Sequence, residues 1–243
     1  MPATSRTTWS IVDCDLLPVS DPFDVVRHPH ARRARLSFDP VTGRARLTIP
    51  RRAALAPMIA WAQSKQSWID EQRSALPQAC PFVSGATLPF DGEELTIAWH
   101  ADAPRRVERR DTMLVVGGPE ERVEARVAAW VKQEALALLR ADTTFYAARA
   151  GVSVTQVSVG DPRGRWGSCA SSGAIRYNWR LALAPVDVRR ATAAHEVAHR
   201  IHMDHSPKFH ALVAELFGRD PAPERQWLRE HGAALHWYGR SSS

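Results

Sequence analysis

Apolar positions along this chain change period several times, and each change marks a predicted element. Residues 34–49 alternate polar and apolar on both sides of Asp39-Pro40-Val41-Thr42-Gly43, which predicts a β-hairpin with a Gly-containing turn. From Ala53 to Leu76 the period lengthens. Leu55, Ile59, Ala62, Gln66 and Ile69 lie on or near one stripe, so one helix is expected there. Short strands are predicted at 87–90, 95–99 and 113–116, with Asp91-Gly92 and Gly117-Gly118 as turns.

A long helix should span 120–150. Pro119 suits its start, Gly151 its end, and Val123, Val127, Trp130, Val131, Ala135, Leu138 and Leu139 its buried stripe. Residues 152–159, 166–169 and 174–183 read as strands, separated by Asp161-Pro162-Arg163-Gly164 and Ser171-Ser172-Gly173. A helix over 188–202 follows, capped by Asp187. Ser206-Pro207 opens another over 208–217, and a last one covers 223–237. Pro18, Pro22 and Pro29 break up the start. The expected organisation is an irregular lead-in (1–30), a β-rich N-terminal subdomain crossed by one helix (31–118), a second domain (119–238) and a short tail (239–243).

Composition adds little to this picture until charge is considered. The chain has 243 residues and a net charge of +6, and only Lys65, Lys132 and Lys208 among its 32 basic residues are Lys. The arginines fall in scattered pairs such as Arg32-Arg33, Arg51-Arg52 and Arg105-Arg106, without a continuous basic tract. Weak nucleic-acid association is therefore compatible with the charge but not demanded by it. Cys14, Cys80 and Cys169 are far apart and odd in number, which argues against a disulfide framework or zinc ribbon and suits a reducing cytoplasm. No signal peptide or membrane span is expected, because no long apolar run occurs.

The candidate chemistry lies in His195-Glu196-Val197-Ala198-His199. Residues four apart on a helix are about 400° apart in rotation, so the two imidazoles share a face and can reach one Zn²⁺. Glu196 then stands beside the metal, where it can take a proton from bound water. Chance alone would place such a motif in this composition only ~0.02 times. His202 is seven residues from His195, a rise of about 10 Å, too far for both to touch one ion. His205 becomes a third ligand if the chain reverses tightly near Asp204, which tolerates the left-handed conformation, before Ser206-Pro207. Glu215 and Glu224 are competing third ligands. The spacing 195, 199, 205 equals that of HExxHxxGxxH enzymes, but His202 stands in the Gly position and no clear Met-turn follows.

Two blocks together, Pro162 to Pro185 with Arg165-Trp-Gly-Ser-Cys and Asn178-Trp-Arg-Leu, and His195 to His210, resemble the YgjP-like metal-dependent hydrolases over residues 30–232. The second block is also similar to WLM and SprT-like metalloproteases. Gly164 and His210 depart from the family pattern, and neither is a ligand or the base. The resemblance implies an α+β fold with a zincin-like core, in which a mixed or antiparallel sheet and an active-site helix hold the metal. It implies His195, His199 and His205 as ligands and Glu196 as base.

Beside that core, Arg165–Cys169 would supply an edge strand for an extended peptide, with Trp166, Gly167, Ser168 and Arg180 as substrate-binding candidates. Trp166 can equally be core, Arg180 can be a structural ion pair or an oxyanion donor, Tyr177 is a weaker oxyanion candidate, and Cys169 is a switch ligand or a buried thiol. The expected function is a zinc metallopeptidase acting on protein or peptide through a Glu-activated, zinc-bound water. The alternatives are hydrolysis of a non-peptide bond such as a nucleotide phosphoanhydride, and a DNA-associated processing or repair factor.

Overall fold

The expected hairpin forms, and it gains a third strand. In the computed structural model, which describes residues 23–240, β1 is Phe23–His28, β2 Arg35–Asp39 and β3 Arg44–Pro50. Their order is β1-β3-β2, with β1 parallel and β2 antiparallel to β3. Asp39 closes the hairpin by accepting from Val41 N–H and the Thr42 hydroxyl, and Gly43 takes the left-handed φ of +71° that the turn requires. Residues 23–28 therefore correct the irregular lead-in. Phe23 and Val25 flank Asp24 on alternate positions, and pairing to β3 covers Phe23. The rest of the lead-in, with Cys14, and the end of the tail lie outside the described residues.

The single helix expected over 53–76 is two, α1 (Leu55–Gln63) and α2 (Gln66–Ser74). The break is local. The Ser64 hydroxyl donates to the Trp61 carbonyl, and Lys65 N–H bonds three residues back to Ala62, which tightens the turn. Leu47, Ile49, Ala62 and Ile69 are fully buried together. The chain divides into compact units after Ser74, not after residue 118, so residues 75–118 belong with the second unit.

That unit begins with β4 (Thr87–Phe90), β5 (Glu93–Trp99), β6 (Glu108–Arg110) and β7 (Met113–Val116), in the order β4-β5-β7-β6. β6 is entirely charged, which is why no apolar pattern announces it. A 3-10 turn at Glu120–Arg122 leads into α3 (Val123–Ala150), which Gly151 ends at φ +65° as expected. α3 is the spine of this unit. Val127, Val131 and Ala135 are buried in the core of the four-stranded sheet, and Leu139, Tyr146 and Ala147 in the core beneath the motif helix.

β8 (Gln156–Gly160), β9 (Gly167–Cys169) and β10 (Ala174–Asn178) form a mixed sheet ordered β8-β10-β9. The strand expected over 174–183 stops at Asn178, whose side chain accepts from Arg180 N–H and turns Trp179–Leu183 into a 3-10 helix. Three helices complete the unit: α4 (Val186–Ala198), α5 (Pro207–Phe217) and α6 (Ala222–Leu235). α4 starts without a side-chain cap, and the expected cap, Asp187, pairs instead with Arg219. Ser206 caps α5 as expected, accepting from Phe209 N–H with Pro207 in the first turn. Arg189, buried on α4, is clamped by Asp142 of α3 and Asp91 of the β4–β5 turn. The class is α+β, with three sheets and six α-helices among the described residues.

Candidate metal centre

α4 is short of large side chains, and that lets it bury almost completely. Ala193, Ala194, Val197 and Ala198 have no exposed surface. The helix lies against α3, α5, α6 and β9. The motif is thereby held on a rigid, solvent-excluded element, and only its outward face meets the cleft. α4 ends at Ala198, four residues before the expected end, with His199 as its last cap. Residues 199–206 then leave the helix axis. Asp204 is not in the left-handed region, where the described non-glycine residues are Asp91 and Asp111. The early stop and irregular return, together with Asp204 Oδ1 accepting from Ser206 N–H, do what the left-handed residue was expected to do.

The return brings His205 beside His195, with their Nε2 atoms 3.3 Å apart. The ring centroids of His195, His199 and His205 lie 4.8–5.2 Å from one another. One nitrogen from each falls within a 4.8 Å spread, and among the described residues this is the group arranged to hold a metal ion. Glu215 and Glu224 are not in it, nor is His202. Instead the His202 carbonyl sits 3.0 Å from His199 Nδ1. A carbonyl can only accept, so Nδ1 carries the proton and Nε2 keeps its lone pair. Phe209 of α5, fully buried, is the floor of the cluster. Its ring is 4.8, 4.5 and 4.8 Å from those of His195, His199 and His205, and it stacks on His199.

The donor set suits a divalent ion. In a tetrahedral site with Zn–N near 2.0–2.1 Å, ligand nitrogens stand about 3.3 Å apart. One pair meets that separation here, and the widest lies within about 1.5 Å of it. Burial lowers the His195 pKa to about 4, and protons on His199 and His205 would repel one there. Burial also lowers His199. Both shifts favour the neutral imidazole, the form that can bind a metal.

Glu196 follows His195 on α4 and is only 5% exposed. Burial pushes its carboxyl up to about 7, against the opposing pull of Arg165. Its side chain is pressed against Gly167 on β9. A Cβ at that glycine would sit 2.6 Å from Glu196 Cγ and Cδ, and nearer still to Oε1. The Glu196 carboxylate and the edge strand are therefore packed side chain to backbone, an arrangement that only glycine permits.

A cleft of about 260 Å³ opens at this point. Trp166 and Gly167 form one wall, Thr192, His195 and Glu196 the next, and Val213 and Leu228 close it. Trp166 serves both readings, since it lines the cleft while its indole packs on Gly232 of α6 and the His236 ring. β9 is the outer strand of its sheet. Ser168, opposite Arg176, does not line the cleft. Neither does Arg180, which is buried and committed to Asp161 and to the Leu235 and Tyr238 carbonyls. Tyr177 is fully buried and bonds Thr143, so it has no route to an oxyanion in the cleft. Cys169 is not among the clustered metal-type donors. Phe209 and the His202 carbonyl are the contributors that residue spacing does not reveal. An aromatic four residues after His205 was the available signal for the first.

No helix among the described residues is long and apolar enough to cross a membrane. Searches of curated proteins and of solved structures give no significant match. The model of the YgjP-like metallopeptidase domain matches residues 32–231. The family implies a divalent metal, and the three-histidine cluster falls inside the matched segment. With well over half its length covered by that match, this chain belongs to the YgjP-like metallopeptidase domain family.

Proposed function

We propose that the chain is a zinc peptidase with a zincin-like core, in which His195, His199 and His205 hold the ion and Glu196 is the general base. The observation that carries this reading is the convergence of the three imidazoles beside a buried carboxyl at the mouth of a cleft. When bound, the metal supplies Lewis acidity that polarises a carbonyl and makes water a better nucleophile at neutral pH. Glu196 then takes a proton from water at a carboxylate oxygen and returns it to the leaving amine. A buried carboxyl with a pKa of about 7 is balanced between those two tasks. The His202 carbonyl fixes the tautomer of His199, and Phe209 fixes the planes of all three rings. The outer edge of β9 offers backbone groups on which an extended peptide can lie as an added strand, with Trp166 as the cleft wall. The free thiols of Cys80 and Cys169 suit a reducing cytoplasm.

Purified Glu196→Gln should retain zinc and lose hydrolysis of a fluorogenic peptide library by at least about 100-fold, the usual scale of general-base catalysis. Equal turnover by wild type and variant would remove Glu196 from the chemistry. Hydrolysis of nucleotides but not peptides, abolished by chelator, would move the reading to phosphoanhydride cleavage.

A further inference from the structure

Charge is not spread evenly over this chain. Residues 23–74 hold ten Lys and Arg against four Asp and Glu, a net +6 that equals the net charge of the whole protein. A general compositional preference for Arg would not concentrate the excess in this way.

Topology gathers it further. The register of β1 on β3 sets His28 beside Pro50, and that of β2 on β3 sets Arg35 beside Thr48. The end of β1, the start of β2 and the end of β3 therefore lie at one end of the sheet, with residues 29–34 and 51–54. That end carries Arg27, Arg32, Arg33, Arg35, Arg51 and Arg52, all exposed. The strand carboxylates lie toward the other end, where Asp24 is in register with Arg46 and Asp39 with Arg44. They are also occupied, Asp24 by Arg44 and Asp39 by the hairpin turn. Among the described residues, none of the six arginines is ion-paired with a carboxylate. Arg27 donates to the Arg51 and Ala53 carbonyls and so fixes the 51–54 segment, leaving five arginines with no such duty.

We propose that this end of the N-terminal sheet binds the sugar-phosphate backbone of nucleic acid, independently of base sequence. A guanidinium fork matches a phosphate in two hydrogen bonds, and several unpaired forks on one rim suit a ligand with regularly repeated charge. Residues 27–35 and 50–54 contain no large apolar side chain that could enter a bilayer. The exposed His28 and His30 rings, 5.8 Å apart, add flat faces on which unpaired bases can stack. The site needs neither the metal nor Glu196, so it stands or falls apart from the proposed peptidase.

The test is fluorescence anisotropy of the full chain with a labelled single strand of about 20 nucleotides, titrated between about 50 and about 200 mM salt. Five phosphate contacts at about 0.7 released counterions each predict a log–log slope near −3.5. Replacing Arg32, Arg33, Arg51 and Arg52 by Ser should bring that slope up by about 3 and weaken low-salt binding at least tenfold. The same four changed to Lys should keep most of the slope. Arg32→Ser with Arg33→Ser, confined to the loop before β2, carries half the effect and serves if the quadruple variant unfolds. Arg109→Ser with Arg110→Ser, on β6 of the second unit, should change nothing. No binding at low salt, or an unchanged slope in the Ser variants, overturns the proposal. So does equal binding, at equal charge, to polyglutamate or to phosphatidylglycerol vesicles.

Discussion

Gly167→Ala adds a single methyl group, and its cost can be worked from the packing. The new Cβ would stand 2.6 Å from Glu196 Cγ and Cδ, where ordinary contact begins near 3.4 Å. Glu196 or the strand must therefore give by about 1 Å. The strand is paired to β10 through Tyr177 and Ile175, both buried, so the carboxylate is the softer side. It too is confined, being 5% exposed on a helix packed on several sides. A displacement of about 1 Å at a reacting group typically costs about 100-fold in rate, or about 2.7 kcal/mol of barrier. The imidazole cluster is anchored by Phe209 and the His202 carbonyl and does not lean on Gly167, so metal content should be retained. The assay is steady-state hydrolysis of a fluorogenic peptide, with zinc content and thermal midpoint measured on the same preparation. The expected result is a kcat about 100-fold lower in a folded, zinc-loaded protein. Full activity in Gly167→Ala would show that the position of the Glu196 carboxylate does not govern the reaction. Loss of zinc together with activity would show that the glycine supports the ligands instead.

Phe209 and Asp161 carry further expected outcomes. Phe209→Ala should lower stability by roughly 3–5 kcal/mol by emptying a buried ring site. Phe209→Leu should fold and bind zinc about 10- to 100-fold more weakly, measured by chelator competition, because the imidazoles lose their common floor; zinc affinity equal to wild type would dismiss that role. At Asp161, burial alone would raise the carboxyl, but the hydrogen-bonded Arg180 outweighs it and holds the folded pKa below the ordinary value. A carboxyl depressed on folding adds stability above its unfolded pKa, and that stability fades as pH falls through the lower folded value. The thermal midpoint should therefore drop below about pH 4, and Asp161→Asn should flatten part of that drop. An identical acid limb in the variant would contradict the assignment.

What the sequence made legible was what is encoded locally. The 34–49 alternation, Gly151 after α3 and Ser206-Pro207 before α5 each use a few neighbouring residues, and each element forms as expected. The pairing of His195 with His199 was legible for the same reason, and helix rise sets aside His202, but it left His205 in competition with Glu215 and Glu224. The route to His205 was not. Whether α4 runs to 202 or stops at 198 depends on tertiary packing, and the reversal begins several residues earlier without a left-handed Asp204. β6 has no apolar residue to betray it, and β1 becomes a strand only because β3 offers an edge. Gly167 acquires its meaning from Glu196, 29 positions on, Phe209 largely from His195 and His199, 14 and 10 positions before it, and the committed Arg180 from Asp161, Leu235 and Tyr238, 19, 55 and 58 positions away. Apart from the aromatic four residues after His205, no local pattern carries that information.

The central claim is that three histidines from α4 and the segment before α5 hold one ion. Equilibrium zinc titration against a competing chelator tests it most directly, on wild type and on His205→Ala, the ligand farthest from the motif helix. One tight equivalent in wild type, weakened by several orders of magnitude in His205→Ala with the fold intact, is the predicted result. A variant that binds zinc as tightly as wild type, or a wild type that binds none, would contradict it.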